Sequence, residues 1–284
     1  MRFAEKKDML KIIEIWQESF GDSREDIENF FFQCAENVRV CIYTEEDKVA
    51  GFLCLLSATL TLKKVSEEQV LHNPAEYIYA VATKKEFRNK GISTSLLEYV
   101  KVILVKEQKC GILVPAEESL EQFYRKRGFS CCFEKAFLQV ISSSINPCEK
   151  HHKNPPFKGI KDITVSDYSV LREKELHNVS HLRLAEEVVA YAIQSYLLEG
   201  ATLSSISVGE KEYGFLYRLQ GEETDTLFIQ ETTATSKEEI DTAVRALLMA
   251  LGRTKAEVCI SYPAYGTLLP EGSPYHGSFN LVLD

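Results

Sequence analysis

The chain has 284 residues, enough for two domains that each bury a core of their own. Apolar residues make up 45% and charged residues 26%, no apolar run reaches the length of a membrane span, and the amino terminus, MRFAEKKDML, is charged where a secretion signal would be apolar. A soluble, cytoplasmic protein without a membrane partner is expected. The net charge of −9 is unevenly divided, with 21 Lys and Arg against 23 Asp and Glu in residues 1–150 and 12 against 19 in residues 151–284. Nucleic acid requires a basic footprint, so it is excluded as a partner. The acidic second half suits a cationic small molecule or a peptide amine, and serves solubility equally well. The eight cysteines form no CxxC pair and no metal-ligand spacing with histidine. Cys41, Cys54 and Cys259 sit inside apolar runs, as reduced core residues do, so neither disulfides nor a metal site are expected.

Residues 8–20 place Met9, Ile12, Ile13, Trp16 and Phe20 at helical spacing and end at Gly21, a C-terminal stop. Ser23, three residues before Asp26, caps a second helix that carries Phe30, Phe31 and Phe32. Three consecutive phenylalanines cannot share one face. Val38–Thr44 and Val49–Ala58 read as a hairpin joined by the polar Glu45 to Lys48, and 59–74 as an extension followed by a polar loop.

Tyr77 to Ala82, YIYAVA, is a buried strand by its β-branched and aromatic content. A cation-rich loop and Gly91 follow, and then Ile92, Leu96, Leu97, Val100, Ile103 and Leu104 trace one face of a helix. The first amides of such a helix lack internal partners and carry the positive end of its dipole, so the junction can hold a phosphate. Cys110 to Pro115 is another buried strand, Tyr124 lies on a short helix within FYRKRGF, and Cys131–Ile141 reads as one last strand.

Residues 142–159, SSSINPCEKHHKNPPFKG, break every periodicity. The linker core, 146–159, separates a first domain, 1–145, from a second, 160–284. Its adjacent His151 and His152 lack a third metal ligand. Beyond it come a helix over 182–198, strands at 203–208, 213–219 and 226–232, a helix over 237–251 opened by the capping box Ser236-x-x-Glu239, and a strand at 257–262. This repeats the strand, helix, strand plan of the first half, but Thr233-Ala234-Thr235 offers neither glycine nor arginine for a diphosphate. Residues 279–284 read as strand, which would dock the carboxyl terminus.

Arg88-Asn89-Lys90-Gly91-Ile92-Ser93 resembles the acyl-CoA pyrophosphate loop of the GNAT acetyltransferases, Arg/Gln-x-x-Gly-x-Gly/Ala, with Ser93 at the small position. The later Phe123-Tyr124-Arg125-Lys126-Arg127-Gly128-Phe129 is similar to the family's aromatic-Tyr-x-x-x-Gly-Phe motif. The order of elements matches as well, and the whole resembles tandem GNAT proteins with a degenerate second domain. The fold so implied is α/β, a mixed sheet flanked by helices, followed by a second GNAT-like α/β domain.

The resemblance implies an N-acetyltransferase moving an acetyl group from acetyl-CoA to an amine of a small molecule or peptide. The amides and cations of Arg88 to Ser93 would hold the pyrophosphate, the backbone of Val81 and Thr83 would pair with the pantetheine arm, and Tyr124 would be the general acid. For the base, a straight count from Arg88 puts Tyr77 at the family's glutamate position, with Glu76 one residue off and therefore on the opposite face unless a bulge or a water relay intervenes. The terminal carboxylate of Asp284 is the second candidate, and a surface role for Glu76 is the third reading. A protein that binds acyl-CoA or an amine without turnover is the alternative function. Neither acceptor identity nor oligomeric state follows from the sequence.

Overall fold

The computed structural model describes residues 1–63, 70–142, 157–177, 179–220, 225–271, 273–275 and 277–278. The first half runs β1 (Arg2–Phe3), α1 (Met9–Phe20), α2 (Arg24–Gln33), β2 (Val38–Glu45), β3 (Lys48–Lys63), β4 (Val70–Thr83), α3 (Ile92–Glu107), β5 (Cys110–Leu113), α4 (Ser119–Arg125), β6 (Ser130–Phe133) and β7 (Ala136–Ile141). The second runs β8 (Phe157–Asp162), α5 (Val165–Leu176), β9 (Ser180–Leu184), α6 (Glu186–Leu198), β10 (Thr202–Val208), β11 (Lys211–Leu219), β12 (Thr226–Thr232), α7 (Lys237–Leu251), β13 (Lys255–Ser261), β14 (Ala264–Thr267) and β15 (Gly277–Ser278).

The strands form two mixed sheets. One has the order β1-β2-β3-β4-β5-β14-β6, with β9 paired to the far half of β3 and β15 to β9; the other has the order β7-β13-β12-β11-β10-β8. The halves therefore exchange strands. The expected single strand over 131–141 breaks at Glu134-Lys135, and its second part, β7, pairs with β13 rather than with the first sheet. In return β14 slots antiparallel between β5 and β6. Both segments are short and apolar, so their composition makes them strands without naming a partner. The end of the expected linker, residues 157–159, belongs to β8, while 143–156, with both linker histidines, lie outside the described residues.

Alternation along the strands divides the first half into two apolar layers. Cys54, Leu56, Tyr77 and Ala82 pack towards α1 and α2, together with Ile12, Trp16 and Phe30. Leu53, Leu55 and Ile78 face the opposite way, onto Ile92, Leu96, Leu97, Val100 and Leu104 of α3. Of the three phenylalanines of α2, Phe30 is buried, Phe31 is half-buried and Phe32 is 83% exposed, since a helix turns about 100° per residue. Leu182, Val188, Ile193 and Leu216 of the second half join the α1 and α2 layer, so the halves meet there, while the rest of the second half packs in a separate core that includes Val244 and Leu247 of α7. The β2–β3 hairpin closes with Glu46 and Asp47 both at positive φ, the geometry that matches strand twist.

Gly51 of β3 sits where the sheet meets the start of α3, and a Cβ there would come within 2.8 Å of the Ala82 carbonyl oxygen and of Ile92 Cγ2. Gly51→Ala is expected to lower the unfolding free energy by about 1–3 kcal/mol, measured by denaturant titration, because the strand and the helix must both give way. A change below about 0.5 kcal/mol would show that this approach is slack.

Candidate active site

The feature that creates a cleft is a break in the β4 ladder. Ala82 of β4 pairs with Phe52 and Tyr79 with Cys54, so Ala80 and Val81 together stand opposite Leu53. This is a β-bulge, with Ala80 at φ 52°. On its other edge β4 pairs with β5 only from Ala75 to Tyr77, against Cys110 to Ile112. Beyond Tyr77 the parallel strands part.

A cavity of about 390 Å³ opens in that gap. Ile78, Ala80 and Val81 line it from β4, Val114, Pro115 and Ala116 from the segment after β5, and Leu120 and Tyr124 from α4. Tyr77, Tyr79, Phe20, Asp22 and Tyr262 complete it. Ile78, Val81, Leu120 and Tyr124 belong to the α3 layer, whereas Tyr77, Tyr79, Val114 and Tyr262 belong to the α1 and α2 layer. The cavity thus passes through the sheet and joins its two faces.

The loop after β4 makes a short 3₁₀ turn at Lys85–Phe87, places Asn89 at φ 64°, and enters α3 through Gly91 at φ 80°. No side chain caps α3, so its opening amides are left to another acceptor. Arg88 donates from Nε to the Thr83 carbonyl at 3.1 Å, and Lys90 Nζ lies 4.9 Å from the centre of the Phe87 ring. A third cation, Arg127, grips the first turn of α3 by donating from Nη2 and Nε to Thr94 Oγ1 at 2.6 and 2.9 Å. An uncapped helix start surrounded by cations, next to a gap between parallel strands, can seat a diphosphate and thread its extension into the sheet.

Residues 1–132 match the family model described as "Acetyltransferase (GNAT) domain". That stretch is a GNAT domain. No curated protein sequence matches the chain. Among solved structures, the chain is similar to a protein of Enterococcus faecalis V583 titled "Probable N-Acyltransferase", at 14% identity and TM-score 0.70, covering 93% of this chain and 71% of that one. A GCN5-related N-acetyltransferase of Anabaena variabilis gives 17% identity and TM-score 0.66 over the same shares, and Eis1 of Mycobacterium abscessus 11% and 0.64 over 90% and 64%. At these identities the likeness speaks for the fold, which is GNAT-like in both halves. Residues 1–132 thus match a family of acyltransferases that draw on acyl-CoA.

Within the GNAT domain, Val81 and Tyr124 face the same cavity, and Arg88 to Ser93 form one continuous turn at the head of α3. The spacing around Tyr124 has a mechanical reason. Gly128 at φ 78° ends the helical turn, the Phe129 amide donates back to the Tyr124 carbonyl at 3.2 Å, and the buried Phe129 ring meets the Tyr124 ring edge-on at 5.9 Å. Burial pushes the Tyr124 phenol up to about 12, so it keeps its proton throughout the neutral range.

Glu76 does not reach the cleft. It precedes the bulge, pairs across the sheet with Ser57, and is fully buried, with Oε1 accepting from Arg39 Nη2 at 2.6 Å and Lys109 Nζ at 2.7 Å. The surface reading fails too, because the residue is interior. The bulge lies on the loop side of Glu76, where it leaves that side chain facing Arg39 and Lys109. Asp284 lies outside the described residues. The carboxylate that does line the cleft is Asp22, which the sequence reading passed over. Gly21 at φ 84° stops α1 and turns the chain, and Trp16 Nε1 donates to Asp22 Oδ2 at 2.6 Å. The signal available was an aspartate directly after a helix stop, with a tryptophan one and a half turns before it.

The second half has the same strand, helix, strand unit, with β12 and β13 parallel over Thr226–Ile229 and a register break beside Gln230. There, however, Ser236 accepts from the Glu239 amide and Glu239 reaches back to the Ser236 amide, so the helix start is already capped. Among the described residues no group of three His, Cys, Asp or Glu is placed to hold a metal ion. Among the described residues no helix is long and apolar enough to cross a membrane.

The Arg39 hydrogen bond holds the Glu107 carboxyl at about 2, below its ordinary 4.5. Stability from this pair is therefore complete above pH 4.5 and lost as pH falls from there towards 2. Glu76→Gln is expected to lower the unfolding free energy at pH 7 by about 1–3 kcal/mol, since Lys109 and Arg39 lose the buried negative charge they share, while kcat changes less than about threefold. Unfolding titrations beside rate measurements check both, and a kcat loss of a hundredfold would return Glu76 to the chemistry.

Proposed function

We propose that this protein transfers an acetyl group from acetyl-CoA directly to a primary amine, with the first half catalytic and the second closing the acceptor side. The observation that supports the reading best is the position of Tyr124, a protonated phenol on the wall of a gap between parallel strands, beside a helix whose amides are uncapped.

In this reading the amides of Ile92 and Ser93 and the cations Arg88, Lys90 and Arg127 take the pyrophosphate. The pantetheine arm runs along β4 as an added strand against Val81 and Thr83, which the parting of β4 from β5 leaves room for. The Val81 amide then stabilises the oxyanion as the amine nitrogen bonds to the thioester carbon. The C–S bond breaks, Tyr124 gives its proton to the departing sulfur, and the phenol is restored from solvent. The amine's surplus proton leaves to a carboxylate or water on the acceptor side. Tyr262, from the second half, walls that side.

A second reading, acyl-CoA binding without turnover, draws on the commitment of Glu76 to Arg39 and Lys109 and on Ser93 at the family's Gly or Ala position. One assay separates the two. With purified protein, acetyl-CoA and a panel of amines, free thiol should accumulate, and Tyr124→Phe should lower kcat by roughly 100-fold while calorimetric acetyl-CoA affinity stays within about twofold. Binding with no thiol release on any amine would favour the second reading, and an unchanged kcat in the variant would remove Tyr124 from the mechanism.

A further inference from the structure

The two ends of the cleft differ in chemistry. On the α3 side the walls are Ile78, Val81, Leu120 and Tyr124; on the α1 and α2 side Ala80 and Val114 are joined by Tyr77, Tyr79 and Tyr262, and Phe20 and one acid, Asp22, complete the cavity. Asp22 is the only charged side chain among the described residues that line the cavity, and no lysine or arginine joins it there. Nor does Asp22 form an ion pair with any described residue.

Its orientation is built in. Trp16 is 2% exposed and boxed by Phe20, Phe30, Phe31, Phe52 and Tyr79, with ring centres 5.3 to 6.0 Å away, so its N–H points in one fixed direction, at Asp22 Oδ2. One carboxylate oxygen is therefore held, on a residue that lines the cavity. The aromatic rings that line this end carry electron-rich faces, which attract a cation and repel an anion where a ligand meets them. A carboxylate or phosphate on an acceptor would enter this end with no cationic partner and with Asp22 as a like charge, a discrimination of roughly a hundredfold or more.

Resting on the acyl-transfer reading above, we propose that the cleft selects small primary amines with an aromatic or apolar body and no acid group, Asp22 pairing with the incoming ammonium, which sheds its proton to water before the nitrogen attacks, and Trp16 positioning Asp22. Amino acids and phosphorylated amines are thereby excluded as acceptors. Amines whose bodies are purely polar bind less well, because the tyrosine walls give them little apolar contact.

The test uses the full chain, acetyl-CoA and three probes: 2-phenylethylamine, phenylalanine and ethanolamine. The kcat/KM for 2-phenylethylamine should exceed that for phenylalanine by roughly 100-fold and that for ethanolamine by roughly 10-fold or more. Asp22→Asn should raise KM for 2-phenylethylamine by at least about tenfold with acetyl-CoA affinity unchanged, and Asp22→Lys should erase or invert the preference over phenylalanine. Trp16→Phe, which keeps the ring and drops the N–H, should raise the same KM in the same direction by less. Thiol release with phenylalanine equal to or faster than with 2-phenylethylamine, or an Asp22→Asn variant within twofold of wild type on every probe, overturns the proposal while leaving acyl transfer intact. Absence of acetyl-CoA binding, or of thiol release with every amine, overturns the underlying reading and this proposal with it.

Discussion

Two residues of β4 opposite one residue of β3 set the geometry on which the rest depends. Ala80 adopts a left-handed φ that a residue with a Cβ takes only at a cost of about 1 kcal/mol, and the neighbouring core holds it there. Because the bulge bends β4 away from β5, the sheet opens where an ordinary parallel pair would continue. The opening connects an aliphatic layer under α3 to an aromatic layer under α1 and α2. In the proposed reading one face receives a donor threaded from the head of α3, and the other an acceptor, with the sheet's own backbone between them.

The two halves show how one plan diverges through its helix starts. Both carry a strand with a register break, a helix and a parallel partner strand. In the first, Gly91 brings the chain into α3 without a side-chain cap, and the orphan amides remain available to a ligand. In the second, Ser236 and Glu239 satisfy the corresponding amides, which stabilises α7 and closes it to a diphosphate. What the second half contributes instead is wall and core. Tyr262 lines the cleft, β14 completes the first sheet beside β5, and α6 packs on α2 through Tyr191 and Phe30, ring centres 5.3 Å apart.

Local chemistry made much of this legible beforehand. The apolar stripe of α3, the helix stop at Gly21, the hairpin at Glu46 and Asp47, the capping box of α7 and the FYRKRGF motif all depend on residues close in the chain, and the structure places each where its chemistry predicts. Three features escaped. The bulge is carried by Ala80 and Val81 inside an unbroken apolar run, with no glycine to mark it, so the registration of Glu76 could not be counted from the loop. The exchange of β7 and β14 depends on partners more than 100 residues away, which strand composition does not encode. Asp22 joins the cleft only when α1 docks on β4, although its bond to Trp16 is local.

The account stands most directly on where an acyl-CoA lies in the sheet. A crystal structure of the protein soaked with acetyl-CoA should show the pyrophosphate on the amides at the start of α3, the arm in the gap between β4 and β5, and the thioester between Val81 and Tyr124 with its methyl pointing towards the Asp22 side. A cofactor seated elsewhere, or strands β4 and β5 hydrogen-bonded without interruption beyond Tyr77, would contradict it.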